Sequence, residues 1–374
     1  MSERQIAVID VKPGASMESQ SGLQALHPRI YGAFEEPVKG RKRDAAIVMH
    51  PASNFMGHYF ISQLAQRGIC CMGLNSRYVG NDSLLIMERV IQDLGAGVKF
   101  LKERGYERVF LLGNSGGGAL MAFYQAQAEN LTVHETPAGD PVGLSQSDLP
   151  PVDGIILNAA HRGRSSLIRE WIDPSVTDEA DNLATAPELD VYNPANGPPY
   201  RDEFLAKFRN AQEHRMDRLE SWVRDRLRIL RSDEQAPSDQ AFLVYRTHAD
   251  PRFLDLRLDA NDRKSGSIWG DARQVNYGAN AMGRYTSLTA FMSQWSSASN
   301  ADGPTNLART TVPVLFFEHT ADGSTFPSTR DAWLAAAGDR ASAHCLEGAS
   351  HYLNGQPDLI TQLGDTIEEW IREL

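Results

Sequence analysis

The chain has 374 residues and a formal net charge of −11, and its length allows two domains or one domain with a large insertion. The acidic balance argues against nucleic acid, whose phosphates call for a basic face. No apolar segment approaches the roughly 18 residues that span a bilayer, and the N-terminus lacks the pattern of a signal peptide. We therefore expect a cytoplasmic protein that binds neither nucleic acid nor membrane.

Strand and helix patterns alternate over the first 160 residues. Short apolar runs predict strands at residues 5–11, 29–38, 44–50, 68–74, 109–112 and 154–158. Apolar residues at helical spacing predict helices at 59–66 and 84–103. This alternation predicts a parallel sheet with helices on both faces, in which ligands bind at the carboxyl ends of the strands.

The three cysteines lie in apolar, strand-like stretches at Cys70, Cys71 and Cys345. Their odd number and apolar neighbours are typical of small buried side chains, not of a disulfide framework. Their spacing does not indicate a metal site either. We expect all three to be buried.

The central motif is VFLLGNSGGGAL at residues 109–120. An apolar run that is closed by glycines and followed by helix formers is typical of a strand, a sharp turn and a helix. Ser115 stands at the turn, and a side chain at Gly113 or Gly117 would collide with the crossing backbone. The pattern is the G-x-S-x-G nucleophile elbow. The alternatives are a turn with an incidental serine or a phosphate loop, but the Walker Lys-Ser/Thr is missing.

The alternation breaks after residue 160 and resumes near residue 310. The intervening segment has a helical stretch at 201–230, turn-rich stretches, and four of the six tryptophans: Trp171, Trp222, Trp269 and Trp295. Strands are predicted again at 312–317 and 343–346, and helices at 328–337 and 359–373. We predict a core of residues 1–160 and 309–374 and a mainly helical cap at 161–308.

A serine nucleophile needs a base, and the base needs an acid that orients it. Asp322 lies in a turn beyond the next-to-last predicted strand, and His351 lies in the loop after the last one. Each alone has the alternative of a surface turn residue, but the chain order serine, aspartate, histidine is the order expected on such a sheet. Glu318 and Asp331 are rival acids, placed at a strand end and in a helix. We predict Ser115, Asp322 and His351 as the catalytic residues.

These segments resemble the α/β-hydrolase superfamily. The resemblance covers about 44–160 and 310–374, and includes PVLFFEHTADGSTFPSTRDAW and the Gly-x-x-His loop GASH. It implies a mostly parallel central sheet, helices on both faces and a cap insertion. A serine at the elbow excludes the members that use an aspartate nucleophile.

An oxyanion hole needs N–H groups aimed at the developing negative charge. One should come from Gly116, directly after the nucleophile. The second should come from the loop after the third strand, where Ala52 aligns best and Ser53 is the next candidate. Pro51 has no N–H to donate, and the side chain of Asn54 is a further possible donor.

Four residues are candidate contacts for a substrate: Asn54, Asn114, Arg77 and His161. Arg77 follows a strand and could bind a carboxylate, although a structural ion pair is an equal alternative. His161 could face the pocket or serve as a polar hinge residue. The cap tryptophans could line the pocket, or form only the core of the cap.

These features together favour a serine hydrolase that cleaves a carboxylic ester or lactone of a hydrophobic or aromatic small molecule. It would need no metal and no organic cofactor. A carbon–carbon bond hydrolase is also possible, because GNSGGG resembles the elbow of the meta-cleavage-product hydrolases; the chain lacks their Gly-rich oxyanion loop and has a larger insertion. An acyltransferase and a non-catalytic binding protein complete the range of functions that the residues allow. The substrate and the oligomeric state stay open.

Overall fold

The computed structural model describes residues 3–14, 27–37, 43–279 and 281–374. The last residue of the predicted strand at 29–38 lies outside this part of the chain. The strands are β1 (Arg4–Asp10), β2 (Arg29–Glu35), β3 (Asp44–Met49), β4 (Cys70–Leu74), β5 (Arg108–Asn114), β6 (Gly154–Asn158), β7 (Ala241–Leu243), β8 (Tyr285–Ser287), β9 (Val314–His319) and β10 (Ala341–Leu346).

Eight of these strands form one sheet in the order β1-β2-β4-β3-β5-β6-β9-β10. β1 and β2 pair antiparallel, β2 and β4 pair antiparallel, and the remaining neighbours are parallel. In the registers at the middle of the sheet, Met49 lies beside Gly113 and Asn114 lies beside Asn158. The parallel strands therefore end at a common edge, as the alternating pattern predicts.

The α-helices are α1 (Phe60–Ala65), α2 (Met87–Glu103), α3 (Gly117–Glu129), α4 (Arg164–Trp171), α5 (Asp202–Arg231), α6 (Ala272–Tyr277), α7 (Leu288–Gln294), α8 (Gly303–Leu307), α9 (Pro327–Ala337) and α10 (Pro357–Glu373). Short 3₁₀ turns occur at Gln146–Asp148, Pro187–Leu189, Pro251–Phe253 and Gly338–Arg340. The helices α9 and α10 begin with proline, whose fixed φ suits the first helical position and whose missing N–H has no helical partner there.

Helices cover both faces of the sheet. In β3, Ala45, Ile47 and Met49 face the core packed by α2 and α3, whereas Ala46 and Val48 face the core packed by α1 and α10. A central parallel strand is buried on both faces, so it is apolar at every position rather than at alternate ones. This explains the continuous apolar runs by which the sequence predicted these strands.

The segment between β6 and β9 carries α4 to α8 and the two-stranded sheet of β7 and β8. Helix α5 buries one face, and residues such as Met216 and Val223 pack with Leu288 and Trp295 in a separate apolar cluster. Trp222 lies on the opposite side of the helix and is exposed. The segment is mainly helical, as predicted, while its exact boundaries as a cap stay a prediction.

The prediction that all three cysteines are buried is wrong for one of them. Cys70 and Cys71 are buried in β4, but Cys345 is exposed. The reason is that β10 is an edge strand and most of its side chains face solvent. Within the described residues, no helix combines the length and the apolar character needed to cross a membrane.

Candidate active site

The elbow connects β5 to α3. Ser115 follows the last residue of β5 and has φ of 56°, a left-handed conformation that is strained for a residue other than glycine. Two backbone hydrogen bonds hold it: Ser115 N–H donates to the carbonyl of Asn158 at 3.1 Å, and His161 N–H donates to the carbonyl of Ser115 at 3.0 Å. The turn thus presents the hydroxyl at the carboxyl edge of the sheet, where it lines a cavity.

Close backbone approach explains two of the elbow glycines. A Cβ on Gly117 would lie 2.2 Å from the carbonyl oxygen of Met49, and one on Gly113 would lie 2.6 Å from the Cα of Gly118. Backbone atoms cannot move aside as a flexible side chain can. The predicted collision at both positions is confirmed, and it accounts for the G-x-S-x-G spacing.

The structure brings Ser115, Asp322 and His351 together. His351 Nε2 lies 3.0 Å from Ser115 Oγ, and His351 Nδ1 lies 2.7 Å from Asp322 Oδ2. Asp322 can only accept when ionised, so Nδ1 carries the proton and Nε2 accepts the hydrogen bond of the serine hydroxyl. The arrangement places a base beside Ser115 and an acid behind the base.

The carboxylate of Asp322 lies in the turn after β9 and is fully buried. Burial would raise the pKa of Asp322, but the charge of His351 and hydrogen bonds from His351 and Thr325 outweigh it and lower that pKa to about 2. Further N–H groups of Ser324 and Thr325 donate to Oδ1 at 2.7 and 3.1 Å. Asp322 is therefore held as a carboxylate at neutral pH.

The two rival acids are bound elsewhere. Glu318 lies in β9, and Asp331 lies in α9. Both carboxylates accept from Arg330, at 2.8 Å for Glu318 and 2.9 Å for Asp331. Neither is the carboxylate in contact with His351.

The cavity at Ser115 has a volume of about 680 Å³. Aromatic side chains from the sheet edge, the cap and the loop after β10 line it: Phe55, Tyr59, Trp171, Trp269 and Tyr352. Trp269 Nε1–H donates to the hydroxyl of Tyr352 at 3.0 Å and so links the cap to the loop of His351. Two of the four tryptophans of the inserted segment therefore face the cavity, and its wall is largely apolar.

Two of the predicted substrate contacts lie at this cavity. Asn114 lines it and accepts a hydrogen bond from the Asn158 amide at 2.6 Å. His161 also lines it, with Nε2 3.0 Å from Ser324 Oγ. Burial, with a smaller contribution from the nearby His351, lowers the pKa of His161 to about 3. His161 is therefore neutral at pH 7.

Two other predicted substrate contacts do not line the cavity. The guanidinium of Arg77 is buried and binds Asp93 through Nε at 3.0 Å and Nη2 at 2.7 Å. The carboxylate at Arg77 is thus the protein's own, which makes this residue part of a structural ion pair and not a substrate contact. Asn54 is exposed, and its side-chain oxygen accepts from Asn75 at 2.9 Å and from Met56 N–H at 3.1 Å.

The predicted oxyanion donors are arranged differently from the expectation. The N–H groups of Ala52 and Ser53 both donate to His50 Nδ1, at 3.2 and 3.0 Å, so each already has an acceptor. Gly116 stands at the N-cap of α3, and its N–H has no acceptor among the described residues. The imidazole of His50 was not predicted as part of the site, although its position at the end of β3 was a signal for it.

A second buried histidine lies behind the aromatic wall. His248 is fully buried and packs against Trp171, Trp269 and Phe253, with ring centroids 4.8, 5.1 and 4.5 Å away. Among the described residues neither of its ring nitrogens has a hydrogen-bond partner. Burial lowers the pKa of His248 from 6.5 to about 3.

We expect His248→Phe to stabilise the protein and to flatten its acid destabilisation. Below pH 6.5 the unfolded chain takes up a proton that folded His248 refuses until about pH 3, so this residue lowers the free energy of unfolding by up to about 1.4 kcal/mol per pH unit as pH falls. Removing two unpartnered nitrogens should add about 1–3 kcal/mol at pH 7.5. Urea unfolding at pH 7.5 and 5 measures both effects. His214→Phe, at an exposed site, is the control, and an unchanged pH slope in His248→Phe would contradict the argument.

No protein-family model and no curated protein matches the chain. Solved structures similar to it include the esterase domain of a Rhodothermus marinus protein (13% identity, covering 99% of this chain and 98% of that one, TM-score 0.47). A carboxyl esterase from Bacillus coagulans (12%, 98% and 98%, 0.49) and a proline iminopeptidase from Mycobacterium smegmatis (15%, 98% and 98%, 0.47) are also similar. Identities this low carry no activity over to this chain.

The strand order supplies its own assignment. The sheet is parallel from β4 to β10, Ser115 follows β5 in a strained elbow, and Asp322 and His351 follow β9 and β10. These are the positions of the nucleophile, acid and histidine in an α/β-hydrolase sheet. The chain has the α/β-hydrolase fold.

Proposed function

We propose that the protein is a serine hydrolase that cleaves a carboxylic ester or lactone through an acyl-enzyme on Ser115. The observation that supports it is the hydrogen-bonded series Ser115–His351–Asp322 at the mouth of a cavity. A serine hydroxyl is a weak nucleophile unless a base takes its proton. His351 is in contact with that hydroxyl, and Asp322 fixes its tautomer and stabilises the imidazolium that forms.

The reaction follows from these contacts. Ser115 Oγ attacks the carbonyl carbon while His351 Nε2 takes the hydroxyl proton, and the carbonyl electron pair moves onto oxygen. Gly116 N–H, at the positive end of α3, stabilises that oxyanion. When the intermediate collapses, His351 returns the proton to the leaving alcohol. Water that His351 activates then releases the acid.

The lining of the cavity supports an apolar acyl group. Aromatic side chains form most of its wall, and its charged members Asp82 and Arg164 bind each other at 2.7 Å. A volume of about 680 Å³ lies within the range of roughly 300–1,000 Å³ that is usual for small-molecule sites. We therefore propose an ester or lactone of a hydrophobic or aromatic small molecule, with no metal or organic cofactor in the reaction.

Two variants of the chemistry share the same nucleophile. A carbon–carbon bond hydrolase and an acyltransferase would both use Ser115 and His351, and they differ in the bond that breaks or in the acceptor. No contact in the site favours either over ester hydrolysis. A purely binding role would leave the intact Ser115–His351–Asp322 series without a purpose.

A panel of p-nitrophenyl esters tests the proposal. The acetate, butyrate, octanoate and phenylacetate should all be hydrolysed, with kcat/KM higher for the three larger acyl groups because they bury more apolar surface. Ser115→Ala should remove this turnover to the level of the background reaction. The measurement is the rate at which coloured p-nitrophenol is released, followed by its absorbance.

Ser147→Ala is the matched control, because Ser147 is exposed in a 3₁₀ turn away from the cavity. It should hydrolyse the panel at the wild-type rate. Turnover that survives in Ser115→Ala would contradict the role of this serine. A folded wild-type protein that turns over none of the esters would contradict the ester proposal.

A further inference from the structure

The ring of His50 is held in one orientation by the loop that follows it. Nδ1 accepts the N–H groups of Ala52 and Ser53 at 3.2 and 3.0 Å. A ring nitrogen that accepts hydrogen bonds carries no proton, so the proton of a neutral imidazole must lie on Nε2. The loop therefore fixes both the tautomer and the direction of the remaining N–H.

The imidazole of His50 is neutral at the pH of the reaction. Burial, together with the positive charge of Arg164 and the neighbouring His161 and His351, lowers the pKa of His50 well below 6.5. A neutral imidazole donates through one nitrogen only. It is a donor that does not exchange protons with the substrate near neutral pH.

The free nitrogen of His50 lies beside the oxyanion donor of the elbow. A Cβ on Gly116 would lie 2.7 Å from His50 Nε2, so this nitrogen is in contact with the residue directly after the nucleophile. His50 and Gly116 both line the cavity. Among the described residues Nε2 has no hydrogen-bond partner. An N–H donor without an acceptor is thus aimed at the region where charge develops.

We propose that His50 Nε2–H is the second donor of the oxyanion hole, together with Gly116 N–H. The inference rests on the proposed hydrolase function and assigns to a side chain the role expected of Ala52 or Ser53. The N–H groups of those two residues act one step away, by holding the ring. In the addition step the carbonyl electron pair moves onto oxygen and the serine proton goes to His351, while His50 keeps its proton and only donates a hydrogen bond.

Kinetics separate a donor from a structural residue. In His50→Gln the amide nitrogen can reach the position of Nε2, whereas in His50→Asn it can reach only that of Nδ1. Loss of one oxyanion donor lowers kcat by about 10²–10³-fold. We expect that loss in His50→Asn with KM changed by less than about threefold, and recovery of at least about tenfold in His50→Gln. Equal loss in both variants, or a change in KM alone, would overturn the inference.

The position of the oxygen gives the direct test. Wild-type protein would be treated with an alkyl fluorophosphonate, and the crystal structure of the product would be solved. We expect the phosphoryl oxygen on Ser115 to lie about 2.7–3.1 Å from both Gly116 N and His50 Nε2. An adduct whose oxygen binds Ala52 N or Ser53 N instead would overturn the inference and leave the proposed function intact. Absence of any adduct on Ser115 would overturn the proposed function and the inference with it.

Discussion

Replacing His351 with Ala should lower kcat for ester hydrolysis by about 10⁵–10⁶-fold, because loss of the base leaves the serine hydroxyl protonated. His351 Nε2 is the nitrogen that lies 3.0 Å from Ser115 Oγ. Some rate above that of water should persist, since Gly116 and the cavity still bind the substrate. KM should change little. The measurement is steady-state hydrolysis of the best ester in the panel.

His214→Ala, at an exposed position of α5, controls for the loss of a histidine and for purification, and it should keep the wild-type kcat. Circular dichroism and urea unfolding establish that His351→Ala is folded. A loss of less than about 100-fold in folded His351→Ala would be too small for a general base, whose contribution to an activated serine is of the order given above. The proposed mechanism would then be wrong.

Replacing Asp322 with Asn should lower kcat by about 10⁴-fold. The carboxylate now accepts from His351 Nδ1 at 2.7 Å, whereas an amide can turn its NH₂ toward the ring and favour the tautomer with the proton on Nε2. In that tautomer His351 cannot accept the proton of Ser115. The loss should fall on kcat, with the geometry of the cavity unchanged.

Glu318→Gln is the matched control for Asp322→Asn, since it removes the charge of the rival acid. Glu318 binds Arg330 at 2.8 Å, so this substitution should change kcat by less than about threefold. Steady-state hydrolysis by both variants, compared at equal active protein, gives the answer. A larger loss in Glu318→Gln than in Asp322→Asn would reverse the assignment of the acid.

The elements that carry Ser115 and its partners could be predicted because their signals are local. The apolar run before Gly113 is typical of a buried strand, and so is the run before the loop of Asp322. Parallel strands end at one edge, so three residues far apart in sequence are expected to meet. The contacts of His351 with both partners agree with that expectation.

Other positions depend on partners that no local pattern reveals. Arg77 binds Asp93, which comes from the middle of the following helix. The choice between His50 and the N–H groups after it depends on how one loop turns back on a ring. The tryptophans of the inserted segment are visible in the sequence, but which of them face the cavity depends on how that segment packs on the sheet.

Mass spectrometry of the protein after treatment with a fluorophosphonate tests the central claim most directly, because the reagent labels only an activated serine. We predict one adduct per chain, located on the peptide that contains Ser115 and absent from Ser115→Ala, while Ser147→Ala, changed at an exposed serine, labels as the wild type does. An adduct on another serine, or no adduct on folded wild-type protein, would contradict the account that His351 and Asp322 activate Ser115.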